Sequence, residues 1–109
     1  MLGVYTMGKL SRLELHNKLK TVLGSNNVYF QPPESMKLSY PCIVYTRSNA
    51  DTLYASNYPY KFDVAYQLTY ISRDPDDQLI DEIAKLQMCR YDRSFKSEDL
   101  NHDVFKIYI

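Results

Sequence analysis

Glycine is scarce in this chain: the 109 residues hold three, at positions 3, 8 and 24. Neither G-x-x-x-x-G-K-[ST] nor G-x-G-x-x-G can be assembled from those positions, which excludes nucleotide binding through a glycine-rich phosphate loop. A surplus of charge is also missing, because thirteen Lys and Arg balance thirteen Asp and Glu. Without a positive surplus there is no counterion release to drive binding to nucleic acid by phosphate neutralisation. Cysteine occurs twice, as Cys42 and Cys89. Two such distant thiols define neither a disulfide framework nor a zinc site, and both are expected to be reduced, buried small hydrophobes. No apolar run approaches the roughly 20 residues of a membrane span. Met1–Lys9 lacks the continuous apolar core of a signal peptide, so the chain is expected to be made in the cytosol.

Tyrosine is plentiful where tryptophan is absent: eleven Tyr, no Trp, and 45% hydrophobic residues overall. Such a composition argues for a folded chain, and the length fits one domain spanning residues 1–109. Tyrosine joins a large apolar ring to a polar tip, which suits a half-buried sheet face and equally a protein interface. A chain with no net charge is also poorly defended against self-association.

Ser11 and Glu14 form the S-x-x-E capping box of a first helix, with Leu10 and Leu15 at the two positions of a hydrophobic staple. Leu15, Leu19, Val22 and Leu23 then recur at helical spacing until Gly24 supplies the stop. Met1–Lys9 reads either as an arm or as a further helical turn. Val28-Tyr29-Phe30 is a short strand closed by Pro32 and Pro33, and a polar link, Glu34–Ser39, follows. Tyr40–Thr46 makes the next strand, with Pro41 at its start, where a missing N–H costs least.

The most informative stretch comes next. After the polar, tyrosine-bearing segment Asn49–Lys61, the run Phe62–Ser72 alternates for eleven residues. Phe62, Val64, Tyr66, Leu68 and Tyr70 share one face, while Asp63, Ala65, Gln67, Thr69 and Ile71 share a smaller, more polar one. This strand should pair antiparallel with Tyr40–Thr46, leaving a loop or extended hairpin tip of about a dozen residues between them, long by the usual standard. Asp74 is then expected to cap a second helix, with Pro75 at its first position and Asp76 and Asp77 in its first turn. Leu79, Ile80, Ile83 and Leu86 give that helix a buried stripe. Strands over Arg90–Lys96 and Val104–Ile109 finish the chain, separated by the turn-rich stretch Ser97–Asp103. The expected fold is α+β: an antiparallel or mixed sheet of four to five strands with two helices on one face.

Chemistry is hard to place on these residues. Asp74, Asp76 and Asp77 could be read as a magnesium site, yet capping accounts for them; Asp81, Glu82 and Lys85 extend the set towards a nuclease-like group. That chemistry needs side chains converging from neighbouring strands, whereas these lie along one helix. His16 belongs to the first helix and His102 to a turn beside Asn101 and Asp103, with no nucleophile motif to serve. No enzyme activity, metal or cofactor is expected.

The order of elements, together with Ser11–His16, Asn27–Pro33, Tyr40–Tyr45, Ile71–Asp76 and Asn101–Tyr108, resembles the small tail completion proteins of long-tailed bacteriophages, the tail terminator and tail-to-head joining group. The likeness spans nearly the whole chain, though none of these segments is a reaction signature. It implies a tail-terminator-like domain in a virion protein of the tail and neck. Such a protein forms a hexameric ring on the tail tube protein, ends tube polymerisation and meets the head–tail connector or a head completion protein. It implies no catalytic residue, and the charge balance and lack of a long apolar run add the expectation of no nucleic-acid specificity and no membrane. The alternatives are a head completion or adaptor protein of the neck, or a small non-virion binding module. A ring needs head-to-tail contacts. Leu53, Tyr54, Tyr58 and Tyr60 of the polar segment, with Asp63, Gln67 and Thr69 of the long strand's smaller face, are the candidate contacts to a neighbouring subunit or to the tube.

Overall fold

The computed structural model describes residues 11–48, 51–55, 58–63 and 65–108, with backbone alone for 51–63. Within them the order is α1 (Arg12–Leu23), β1 (Val28–Phe30), β2 (Cys42–Arg47), β3 (Asp51–Ala55), β4 (Tyr58–Asp63), β5 (Ala65–Ser72), α2 (Gln78–Ala84), β6 (Cys89–Ser97) and β7 (Leu100–Tyr108). Five strands form one mixed sheet in the order β1-β2-β5-β7-β6, parallel between β1 and β2 and antiparallel elsewhere. The class is α+β, as the residue pattern indicates.

Both helices lie on one face of that sheet. Tyr45, Leu68 and Phe105 stand opposite one another across β2, β5 and β7. They form a single core with Leu15 and Leu19 of α1 and Ile83 of α2. Alternation puts Tyr66, Leu68 and Tyr70 into this core, as expected of the long strand. The start of α1 is a complete capping box: Glu14 N–H donates to Ser11 Oγ, and Ser11 N–H donates to Glu14 Oε1. Those bonds favour the charged carboxylate and hold Glu14 below its ordinary pKa. Gly24 ends the helix at φ 78°, a left-handed conformation in which a Cβ is unfavourable. The staple partner Leu10 lies outside the described residues.

The opposite face is less open than its composition suggests. Cys42, Ile71 and Leu100 are buried there beneath Tyr29, Leu38, Tyr40 and Val44. The Glu34–Ser39 link, read from sequence as polar, therefore supplies one covering side chain, Leu38, and Tyr40, read as the start of the next strand, supplies another.

Three expectations need correction. First, Phe62–Ser72 is two strands: β5 belongs to the main sheet, whereas β4 exchanges partners and pairs with β3 in a separate two-stranded sheet. The long loop expected before it is largely this hairpin. Val64, between the two strands, lies outside the described residues. Second, Ser97–Asp103 is no broad turn. Only Glu98 and Asp99 separate β6 from β7, with φ 53° and 64°, as a tight two-residue hairpin turn requires. Asn101, His102 and Asp103 are strand residues.

Third, the cap of α2 is Asp77, not Asp74. Asp77 Oδ1 accepts the N–H of Leu79 at 2.9 Å, and Oδ2 accepts the hydroxyl of buried Tyr70 at 2.5 Å. Asp74 closes a turn upstream, accepting the N–H of Asp76 at 2.9 Å. One carboxylate thus caps the helix and satisfies a core tyrosine, and this second bond selects Asp77 over its neighbours. Burial, reinforced by the carboxylate, raises the Tyr70 hydroxyl well above its ordinary pKa. Asp77→Ala should lower the unfolding free energy by about 2–4 kcal/mol, combining a lost cap with an unpaired buried hydroxyl. Asp74→Ala should cost about 0.5–1 kcal/mol; denaturant unfolding of the two variants checks the order.

Candidate functional site

The sequence-selected contact residues fall on adjoining parts of the chain. Gln67 is exposed and Thr69 half-buried on the sheet face turned away from the helices. They lie opposite Thr46 and Val44 of β2, and opposite Lys106 and Val104 of β7. Ala65 and Ile71 on that face are buried, so its open part is a patch centred on Gln67. Leu53, Tyr54, Tyr58, Tyr60 and Asp63 all belong to the β3–β4 hairpin, and their side chains lie outside the described residues. Backbone register sets Leu53 opposite Lys61, Tyr54 opposite Pro59, Ala55 opposite Tyr58 and Asp51 opposite Asp63, with an irregularity between Leu53 and Tyr54. At the hairpin's base, Ser48 N–H donates to the carbonyl of Ala65 at 2.8 Å, pinning the two arms where they leave the main sheet.

The groups with chemical potential are otherwise engaged. Among the described residues no three His, Cys, Asp or Glu side chains gather where they could hold a metal ion. His102 and Asp103, neighbours in β7, project to opposite faces. The His102 ring stacks on Phe95 at 4.6 Å, whereas Asp103 accepts the hydroxyl of Tyr91 at 3.1 Å. They therefore make no acid–base pair. Burial pushes the Cys42 and Cys89 thiols up to about 11, so both are protonated and poorly nucleophilic at neutral pH. A depression of about 240 Å³ beside Pro75 is lined by Ser94, Phe95, Lys96, Asn101 and Asp103. It holds no nucleophile paired with a base. No helix among the described residues is long and apolar enough to cross a membrane.

A polar cluster between α1 and β2 was not legible in the sequence. Arg12 donates to the Tyr45 hydroxyl oxygen at 3.1 Å and lies 4.3 Å from the centre of the Phe30 ring. His16 Nδ1 sits 2.7 Å from the same oxygen. Arginine can only donate, so the Tyr45 oxygen accepts from it, and which of Tyr45 and His16 donates in their contact is set by the imidazole tautomer. The roles need residues 29–33 positions apart, a distance no local pattern reports. Sequence reasoning likewise gave no role to β6, whose residues beyond Cys89 are all exposed.

No protein-family model, curated protein or solved structure matches the chain.

Desolvation first, then the charges of Lys20 and Arg12, lowers the pKa of His16 below its ordinary 6.5. The fold therefore resists protonating this ring. Its stabilising effect is complete above pH 6.5 and declines as pH falls from there through the lowered folded value. The urea midpoint of the native chain should fall between pH 7.5 and 5, and the fall should be smaller in His16→Gln. Equal declines in the two proteins would contradict this role.

Proposed function

We propose that this chain is a structural virion protein of the phage neck, forming a homo-oligomeric ring, a hexamer, at the head-proximal end of the tail. There it ends tail-tube polymerisation and joins the tube to the head–tail connector or a head completion protein. The observation that carries the reading is the β3–β4 hairpin, a sheet of two strands that, among the described residues, pair with each other and with no strand of the main sheet. A two-stranded hairpin is marginal in water by itself and gains stability when a further surface packs on it. A neighbouring copy or the tail tube supplies such a surface.

Several features support this assignment. The polar patch around Gln67 adjoins the hairpin base, so one subunit can offer an arm and a receiving face, two different surfaces as a closed ring requires. Zero net charge leaves no long-range repulsion against assembly. The carboxylates of Asp77, Asp74 and Asp103 serve a cap, a turn and a core hydrogen bond. The segments that resemble tail completion proteins include the capping box of α1, the β1 and β2 strands, the turn before α2 and β7, which together set the fold.

Antibody labelling of intact virions, read by negative-stain imaging, tests the role directly. Label confined to the neck is expected, with native mass measurement of the protein on tail tubes giving a ring of six copies. Virions carrying no label, or a strict monomer in the presence of free tails, would overturn it.

A further inference from the structure

We propose that the outer edge of β6 is a docking edge for an extended, acidic segment of a partner protein, which adds to the sheet as a sixth strand. This surface lies beyond the hairpin and the Gln67 patch, separated from β5 by β7. It does not depend on the ring reading.

β6 is nine residues long, and among the described residues it pairs with β7 alone. Its other side therefore presents a row of backbone N–H and C=O groups that a further strand can satisfy. An open edge of this kind invites promiscuous pairing, and the side chains here narrow the choice. Arg90, Arg93 and Lys96 are all exposed, and Lys106 stands directly opposite Arg90 in register. Like charges facing each other across a ladder are unfavourable until an anion comes between them. Asp92, the one carboxylate within the strand, is already held by Arg93 at 2.6 Å. Glu98 and Asp99 lie beyond the strand in its turn.

The same charges disfavour a second copy of β6 as the occupant. In antiparallel register, two β6 edges centred on the same residue would set Arg93 against itself. Tyr91 lies on the face of Phe105 and Phe95 on the face of His102, so the two rings would not meet across such a pair. The bulge between Tyr91 and Arg93 disrupts it further. Met1–Leu10 of the chain itself carries a lysine and no acidic side chain, so it does not match either. An extended segment with carboxylates does, and these devices reject copies while selecting that partner.

The edge is also ordered in advance. Tyr91, 48% exposed, has its ring held edge-on against Phe105 and its hydroxyl bonded to Asp103. Phe95, 46% exposed, is stacked on His102. Fixed rings of this kind offer apolar contact with little further loss of side-chain freedom. At the bulge, a depression of about 520 Å³ bordered by Arg90, Tyr91, Asp92 and Lys106 gives a partner carboxylate room beside two cations.

The test titrates the isotope-labelled full chain with two synthetic nine-residue peptides, one alternating Glu with Val and the other alternating Lys with Val. With the acidic peptide, amide shift changes should concentrate in Cys89–Ser97 and around Lys106, and β6 amides should gain protection from hydrogen exchange. The triple variant R90E/R93E/K96E should bind the acidic peptide roughly tenfold or more weakly and take up the lysine peptide instead. Should that variant fail to fold, the two titrations of the native chain still decide. No change at β6 with millimolar acidic peptide, equal changes with both peptides, or concentration-dependent protection of β6 without peptide would each overturn the proposal.

Discussion

Strand β5 occupies the middle of the sheet, hydrogen-bonded to β2 on one side and to β7 on the other, and its alternation governs what every layer can do. Tyr66, Leu68 and Tyr70 are committed to the helical face, where they meet Tyr45, Phe105, Leu15, Leu19 and Ile83. A shift by one residue would turn this whole set outward, so burial fixes the register. The fixed register places the Tyr70 hydroxyl within reach of Asp77 and so positions the start of α2. It also leaves Gln67 on the far face, beside the base of the hairpin. Core, helix placement and candidate contact surface follow from the same strand.

The division of labour between the two sheets follows from this arrangement. The five-stranded sheet buries its own apolar residues, with α1 and α2 over one face and the β1–β2 link over part of the other. The β3–β4 hairpin departs between β2 and β5, with its base pinned by the Ser48–Ala65 hydrogen bond. On the proposed reading, the main sheet holds the fold and the hairpin is the arm offered to a neighbour.

Most of the architecture could be read from local chemistry. Ser11 with Glu14, then Gly24, bounded α1 because capping is a matter of residues three or four apart. The alternation of Phe62–Ser72 identified the buried face of β5, but alternation cannot report a change of partner, so the division into β4 and β5 stayed hidden. Glu98-Asp99 carried no glycine or asparagine to advertise a tight turn, and the strands on either side therefore looked shorter than they are. The choice of Asp77 over Asp74 rests on Tyr70, seven residues upstream, and on tertiary packing rather than on helix propensity. Leu53, Tyr54, Tyr58, Tyr60, Asp63, Gln67 and Thr69 stood out through a long polar segment and a small strand face. The edge position of β6 did not, because strand order is a property of the folded sheet.

Hydrogen bonding at the hairpin base makes the hairpin's part in assembly directly measurable. Ser48 and Ala65 lie close enough to be joined by a tight turn, so residues 49–64 can be replaced by Asn-Gly without disturbing the main sheet. Native mass measurement of the shortened and full chains on tail tubes then separates folding from assembly. The shortened protein should unfold cooperatively, with α1 and the five-stranded sheet intact, and form no ring. A shortened chain that still assembles at the full chain's stoichiometry would contradict it.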